Sequence, residues 1–267
     1  MTVGTLEKRR RASKQTATVH DGRGWSWALL QLALIGAEGF ALLFLLAQPA
    51  FYPRHVQIDG LSHLQQAEVR QALALPTDRN LFFLNAAALE HQLEALPWVR
   101  TANVRVALPD RVTVQVTEWQ PNAVLQVGEA TYFVNQKGVV LDPAPEAGGL
   151  TVIDRPDYGR VRKGDQAITP ELLAMLGQMQ AAFPSAFKLS LTAFQLDRRD
   201  LLTAHTDRGW AIIFGQMATT DQRATLEPKL AALRALSTRV DLASTAIVYV
   251  NLMNPGAPAV QMLPHPR

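Results

Sequence analysis

His20, His55, His63, His91, His205 and His265 are scattered, with no pair at i and i+4 that would aim two imidazoles at one metal ion. Cysteine is absent, which removes thiolate ligands, thiol nucleophiles and disulfide staples together. Close carboxylates occur twice. Asp154 and Asp157 flank Arg155-Pro156, which is a turn, and Asp197 and Asp200 enclose Arg198-Arg199, whose charges make a solvated turn. Neither is an acid–base couple. Gly159-Arg160-Val161-Arg162-Lys163-Gly164-Asp165 approaches a phosphate loop but lacks Ser or Thr after the lysine and has no apolar strand before it. It is a charged surface loop. No G-x-S-x-G, H-E-x-x-H or G-x-G-x-x-G occurs. The expected catalytic, cofactor and metal sets are therefore empty, although carboxylates distant in sequence can still converge.

Without a chemical centre, the elements carry the argument. Of the 267 residues, 48% are hydrophobic and 18% charged, enough for one or two cores plus a membrane segment. The net charge of +3 is local. Residues 1–24 hold six basic residues (Lys8, Arg9, Arg10, Arg11, Lys14, Arg23) against Glu7 and Asp21, leaving 20 basic and 21 acidic residues elsewhere. The bulk of the chain thus lacks the basic face that nucleic acid requires.

Trp25 to Tyr52 contains no Lys or Arg, and Ala28 to Ala47 is long enough to cross a bilayer. Trp25 and Trp27 at one end, and Phe51 and Tyr52 at the other, suit the aromatic belts. Glu38 near the centre costs roughly 2.5–3.5 kcal/mol, and the eleven Leu, Ile and Phe residues offset it by about 3–7 kcal/mol. The alternatives are a buried soluble helix or a cleaved signal, for which Ala47-Gln48-Pro49 is a poor site. The basic cluster places residues 1–24 in the cytoplasm and residues beyond about 50 outside. Ala33, Gly36 and Gly39 recur at three-residue spacing. Glu38, Gly36 and Gly39 are accordingly the candidate contacts for a partner helix, the alternative being a protonated Glu38 facing lipid.

Strand, helix, helix, strand, strand follows. Val56-Gln57-Ile58 is a strand ending at the Asp59-Gly60 turn. Ser62 and Gln65 have capping-box spacing. A break spans Pro76 to Asn80, and Asn85 then caps a helix whose Ala86, Leu89, Leu93 and Leu96 share a face up to Pro97. Ala102, Val104, Val106 and Leu108 alternate as one strand, and Val112, Val114 and Val116 as its return. This predicts an antiparallel hairpin covered by two helices.

Val56-Gln57-Ile58-Asp59-Gly60, Pro97-Trp98-Val99-Arg100, Leu108-Pro109-Asp110-Arg111 and the run to Glu118 resemble the signature of a polypeptide-transport-associated (POTRA) domain. A single such domain directly after a signal anchor resembles the bacterial FtsQ/DivIB division family. Trp98 is expected in its core, between the second helix and the hairpin, the alternative being an exposed recognition residue.

Beyond Gln120-Pro121, short strands are expected at Ala123 to Val127, Thr131 to Val134 and Val139 to Leu141, with a Pro/Gly/Ala loop from Pro143 to Gly149. Thr169, Pro170 and Glu171 open a helix with Leu172, Leu173, Leu176 and Met179 on its core face. Strands follow at Leu189 to Leu196, Leu201 to Thr206 and Trp210 to Phe214. A last helix, starting near Thr225 because of Pro228, presents Leu226, Leu230, Leu233 and Leu236. Ala246 to Val250 closes the pattern and is expected at a sheet edge. Pro121, Ala123, Tyr132, Val134, Asn135, Gly138, Gly209-Trp210, Gly215 and Lys229-Leu230 resemble the C-terminal part of the same family. Asn251 and Met253 depart from its usual Asp and Arg.

The resemblance implies an α+β protein: a cytoplasmic tail (1–24), a membrane helix with flanks (25–52), a POTRA domain of two helices on a small mixed sheet (53–119), a β-rich domain (120–262) and a short tail (263–267). It implies a non-catalytic, single-pass protein of the cytoplasmic membrane at the septum. Its implied partners are FtsB- and FtsL-like bitopic proteins and septal wall synthases, with FtsB received at the C-terminal strand. Tyr249, Leu252 and Val260 are the expected partner contacts, with pairing stopping before Pro255 and Pro258. The alternative is that Tyr249 is core and residues 255–263 cover the strand. An anchored POTRA-type chaperone for exported polypeptides, or an envelope hydrolase, are the other readings.

Overall fold

An apolar helix, α1 (Arg23–Leu46), leads through a 3-10 turn (Pro49–Phe51) into two αβ units. The computed structural model describes residues 23–75 and 80–264, apart from the side chains of residues 23–26 and 46. The basic tail before Arg23, the break from Pro76 and His265 lie outside the described residues, as does the Trp25 side chain. Within α1, Trp27–Leu45 has a mean hydropathy of 2.0, and none of it is buried by the rest of the protein.

The first unit contains β1 (His55–Asp59), α2 (Gln66–Leu73), a 3-10 turn (Leu81–Phe83), α3 (Ala86–Glu94), β2 (Val99–Ala107) and β3 (Arg111–Glu118). The sheet order is β1-β3-β2, with β1 parallel and β2 antiparallel to the central β3. Val112, Val114 and Val116 of β3 are buried, as the alternation requires of a strand covered on one face. A register shift between Val99 and Thr101 lets both Val99 and Ala102 point inward. Leu108 does not continue the buried series, because β2 ends at Ala107 and Leu108 lies exposed in the turn. Gly60 has φ +87°, and a Cβ there would run into the Val116 carbonyl, so the Asp59-Gly60 turn needs glycine.

The Ser62 capping box does not form. α2 begins at Gln66, and its N-cap Gln65 makes no side-chain bond. The backbone amides of Ser62, His63 and Leu64 instead donate to the Glu118 carboxylate at 2.8–3.0 Å, joined by the His63 ring. Partial burial pushes the Glu118 pKa up, but these four donors outweigh it and the net shift is downward. A depressed folded pKa gives stabilisation that is complete above about 4.5 and lost as pH falls through the folded value. Glu118→Gln should cost about 1–3 kcal/mol at neutral pH. The gap from the parent should narrow in acid, which urea unfolding at neutral pH and near pH ~4 measures. A pH-independent gap would remove the carboxylate from this role.

The second unit is a nine-stranded sheet, built from β4 (Ala123–Val127), β5 (Ala130–Val134), β6 (Val140–Pro143), β7 (Thr151–Asp154), β8 (Leu191–Leu196), β9 (Leu201–Thr206), β10 (Ala211–Gln216), β11 (Ile247–Asn251) and β12 (Ala259–Met262). Its order is β12-β11-β10-β9-β8-β7-β4-β5-β6. Helices α4 (Pro170–Phe187), α5 (Thr220–Ala224) and α6 (Leu226–Ser237) complete the unit. Thr169 caps α4 through the Leu172 amide, and Leu172, Leu173, Leu176 and Met179 are buried against the sheet with Leu233 of α6. Pro228 falls in the first turn of α6, where a missing N–H costs little.

Candidate partner-binding site

The far end of the large sheet is set by a bulge in β10. The register with β9 shifts between Ile213 and Gly215, and Gly215 takes φ +90°. The Phe214 carbonyl freed there accepts from Lys229 Nζ at 2.6 Å. Lys229 is buried, which pushes its pKa down. β11 then pairs parallel with β10, and the Leu252 amide donates to Ile213 O at 2.8 Å. The chain turns through Asn254-Pro255-Gly256, where the Asn254 side chain accepts from the Gly256 amide, and returns as β12 antiparallel to β11.

The edge strand is therefore β12, and the expectation that Ala246–Val250 forms the edge is corrected. The covering strand begins immediately after Pro258, so Pro255 and Pro258 occupy the connecting turn rather than ending the sheet. Directly opposed residues in an antiparallel ladder share a face. Val260 opposes Val250 and packs half-buried on the core side, while Tyr249 opposes Gln261 and lies half-buried on the other face. Leu252 is 0% exposed within the core, so it is not available as a surface contact in this conformation. Ala259, Gln261 and Met262 are exposed on β12, with Leu263 beyond it, and sequence reasoning did not select them. The available signal was the Asn-Pro-Gly turn and the absence of any charged residue between Ala246 and Pro264.

The other sheet edges are bonded in part. On β2, the amides of Ala102 and Val104 donate to Glu94 and Glu90 of α3 at 3.3 and 2.8 Å. On β1, the Val56 carbonyl accepts from Arg70 at 3.0 Å. At β6, Val140 exchanges backbone bonds with Gly164 and Asp165. Among the described residues, β12 meets no further strand or loop on its outer side.

The two units meet at Trp98. Its indole is buried, stacks on the His63 ring at 4.3 Å and donates to Asp142 Oδ2 at 2.6 Å across the boundary. Asp142 also pairs with Lys163 at 3.0 Å, and Lys163 reaches Glu68 of α2. Leu141 of β6 belongs to the first unit's core cluster. On α1, Glu38, Gly36 and Gly39 are exposed, and an added Cβ on either glycine meets nothing within 4 Å.

The close carboxylates are held structurally. Asp197 accepts from the Arg199 and Leu201 amides, Asp200 pairs with Arg155 at 2.9 Å, and Asp157 pairs with Arg198. Among the described residues no group of three or more His, Asp or Glu is placed to hold a metal ion. An open groove of about 500 Å³ between Trp119 and α4 holds Lys137 and Glu171, with no histidine or second carboxylate.

Two family models match in succession: the POTRA domain, FtsQ-type, over residues 51–119, and cell division protein FtsQ/DivIB, C-terminal, over residues 123–252. The chain belongs to the FtsQ/DivIB family. Relatives named cell division protein FtsQ include that of Geotalea daltonii, 24% identical over 187 residues, covering 68% of this chain and 64% of the relative. That of Anaeromyxobacter sp. is 27% identical over 194 residues, covering 71% and 65%. That of Novosphingobium aromaticivorans is 29% identical over 140 residues, covering 51% and 44%. The matched stretch thus spans under two-thirds of each relative's own length. The α+β fold with one N-terminal apolar helix, a POTRA domain and a β-rich C-terminal domain is that expected of an FtsQ-type chain. The helix and the family together suit a single-pass membrane division protein.

Proposed function

We propose that this FtsQ-type chain is a non-catalytic scaffold that receives a strand of an FtsB-like bitopic partner along β12 and so joins FtsB- and FtsL-like proteins to septal wall synthesis. The observation that carries the reading is that Ala259–Met262 is uncharged and meets no strand or loop on its outer side among the described residues, its Met262 carbonyl being taken by the neighbouring Gln261 side chain, whereas β2 and β6 have edge groups bonded to α3 or to a loop. Edge strands left without lysine, proline or cover are templates for strand addition. Tyr249 and Val260 are retained as flanking contacts on opposite faces of that edge, and Leu252 acts from the core beneath it. The N-terminus is cytoplasmic and both folded units lie outside, as the basic surplus of residues 1–24 supports. Gly36 and Gly39 form the face offered to a partner's membrane helix, with Glu38 at its margin beside Gly39.

The POTRA-type chaperone reading is less well supported, because the β2 edge that would take a client strand already has two amides capped by Glu90 and Glu94. Photocrosslinking separates the two. A crosslinker at Met262 should give an adduct with the FtsB homologue in dividing cells, and one at Arg105 on β2 should not. Adducts with many exported chains at Arg105, and none with FtsB at Met262, would reverse the assignment.

A further inference from the structure

The first folded unit carries two aromatic side chains that its own core does not use. In the 3-10 turn Leu81–Phe83, Leu81 is buried, whereas Phe82 and Phe83 are 47% and 70% exposed. Leu108 is the other large apolar side chain exposed in that unit among the described residues. Exposed aromatics side by side need a cover. Their position indicates which one. Phe82 packs on Phe51 with the rings tilted and their centroids 5.2 Å apart, and Phe51 lies five residues beyond the end of α1. The link is short and bonded: Ala47 and Gln48 donate back into α1, Gln48 is extended, and Pro49–Phe51 is a 3-10 turn. With one extended residue and four at ~1.5–2 Å rise, Phe51 stands within about 12 Å of the end of α1, beside the headgroup layer.

We infer that the Leu81–Phe83 turn docks on the bilayer itself, with Phe83 inserted at the interface beside the point where α1 emerges. This rests on α1 being the membrane anchor. The turn is suited to an environment short of water. The Phe82 amide donates to the Asn80 side chain, and the Phe83 and Leu84 amides donate to the Asn80 and Leu81 carbonyls. Its donors thus enter the interface already bonded. Arg54 follows three residues after Phe51 and donates to the Pro49 carbonyl at 3.4 Å, which keeps a positive charge beside the membrane-proximal turn to face anionic headgroups. Docking would hold the POTRA unit against the membrane instead of letting it swing on residues 47–54.

The chain has no cysteine, so one introduced thiol reports one position. Full-length protein with Phe83→Cys carrying a nitroxide is reconstituted into vesicles of equal phosphatidylcholine and phosphatidylglycerol. Its relaxation is then compared under oxygen, which concentrates in lipid, and a soluble nickel chelate, which does not. Ile35→Cys in α1 and Glu129→Cys at the β4–β5 turn are references. The oxygen-to-nickel accessibility ratio at position 83 should exceed that at 129 several-fold and stay below that at 35, as an interfacial depth requires. A ratio at 83 equal to that at 129, with 35 lipid-exposed, overturns the docking and leaves the anchor intact. A water-exposed position 35 overturns the anchor and the docking with it. Phe83 is mostly exposed, so the fold tolerates the label.

Discussion

Trp98→Ala should lower the stability of the POTRA unit by about 3–5 kcal/mol, the range for removing a fully buried aromatic side chain. The indole is 2% exposed, stacked on His63 and bonded to Asp142 of the second unit. The replacement therefore does two things. It opens a cavity in the first core, and it removes a direct side-chain bond across the boundary, leaving Asp142 to Lys163. Trp98→Phe is the milder change, because phenylalanine keeps a six-membered ring and loses the pyrrole part of the indole with its N–H. It should cost about 1–3 kcal/mol, one hydrogen bond plus a smaller cavity. Thermal unfolding of the full chain in detergent reads both. For Trp98→Ala the POTRA transition should move to lower temperature and separate from that of the β-rich unit. An unchanged melting profile would mean that the buried indole contributes neither packing nor coupling.

What the sequence conveyed well was local. Val112, Val114 and Val116 announce a strand buried on one face, and Thr169-Pro170-Glu171 announces a helix start, because each feature is contained in a few neighbouring residues. What it hid was non-local. The parallel pairing of β1 with β3 and of β10 with β11 joins residues far apart in the chain, and alternation is the same for parallel and antiparallel partners. Ser62 and Gln65 have the spacing of a capping box, but the Glu118 carboxylate, 56 residues away, takes the Ser62 amide. β7 leaves no local mark because four residues form a strand only when β4 and β8 lie on both sides of it. The short α5 is opened by a Thr219–Gln222 capping box, a signal present in the sequence that the helix expectations did not include.

The candidate site was half legible for the same reason. Ile247 to Val250 is a run of β-branched and aromatic residues, so β11 is visible in the sequence, and Val260 lies on the edge strand with Tyr249 one strand inside it. β12 contributes only Val260 to the core, so burial left no periodic mark on it. Leu252 stands out by its apolar type, and that same property buries it.

Charging the outer strand should have a large effect on partner binding with little effect on folding. Ala259 and Gln261 are both exposed and oppose Asn251 and Tyr249, on the face away from Val250 and the core. The pair Ala259→Lys/Gln261→Lys should therefore melt like the parent. A strand adding to β12 must bring its own side chains against these positions and exclude water from them, which desolvates the two ammonium groups without supplying partners. An affinity loss of about 10- to 100-fold for the FtsB-like partner is expected, or roughly 1.4–2.8 kcal/mol. The matching Ala259→Glu/Gln261→Glu variant distinguishes mechanisms. Backbone pairing with an apolar flank is weakened by either sign of charge, whereas recognition through complementary charge is weakened by one sign and strengthened by the other. Tyr249→Ala should weaken binding less than either pair, since it stands one strand inside the edge. Titration of the full chain in detergent against the partner measures all three. If both charged pairs bind with parental affinity, strand addition at β12 is excluded and the partner must engage another surface.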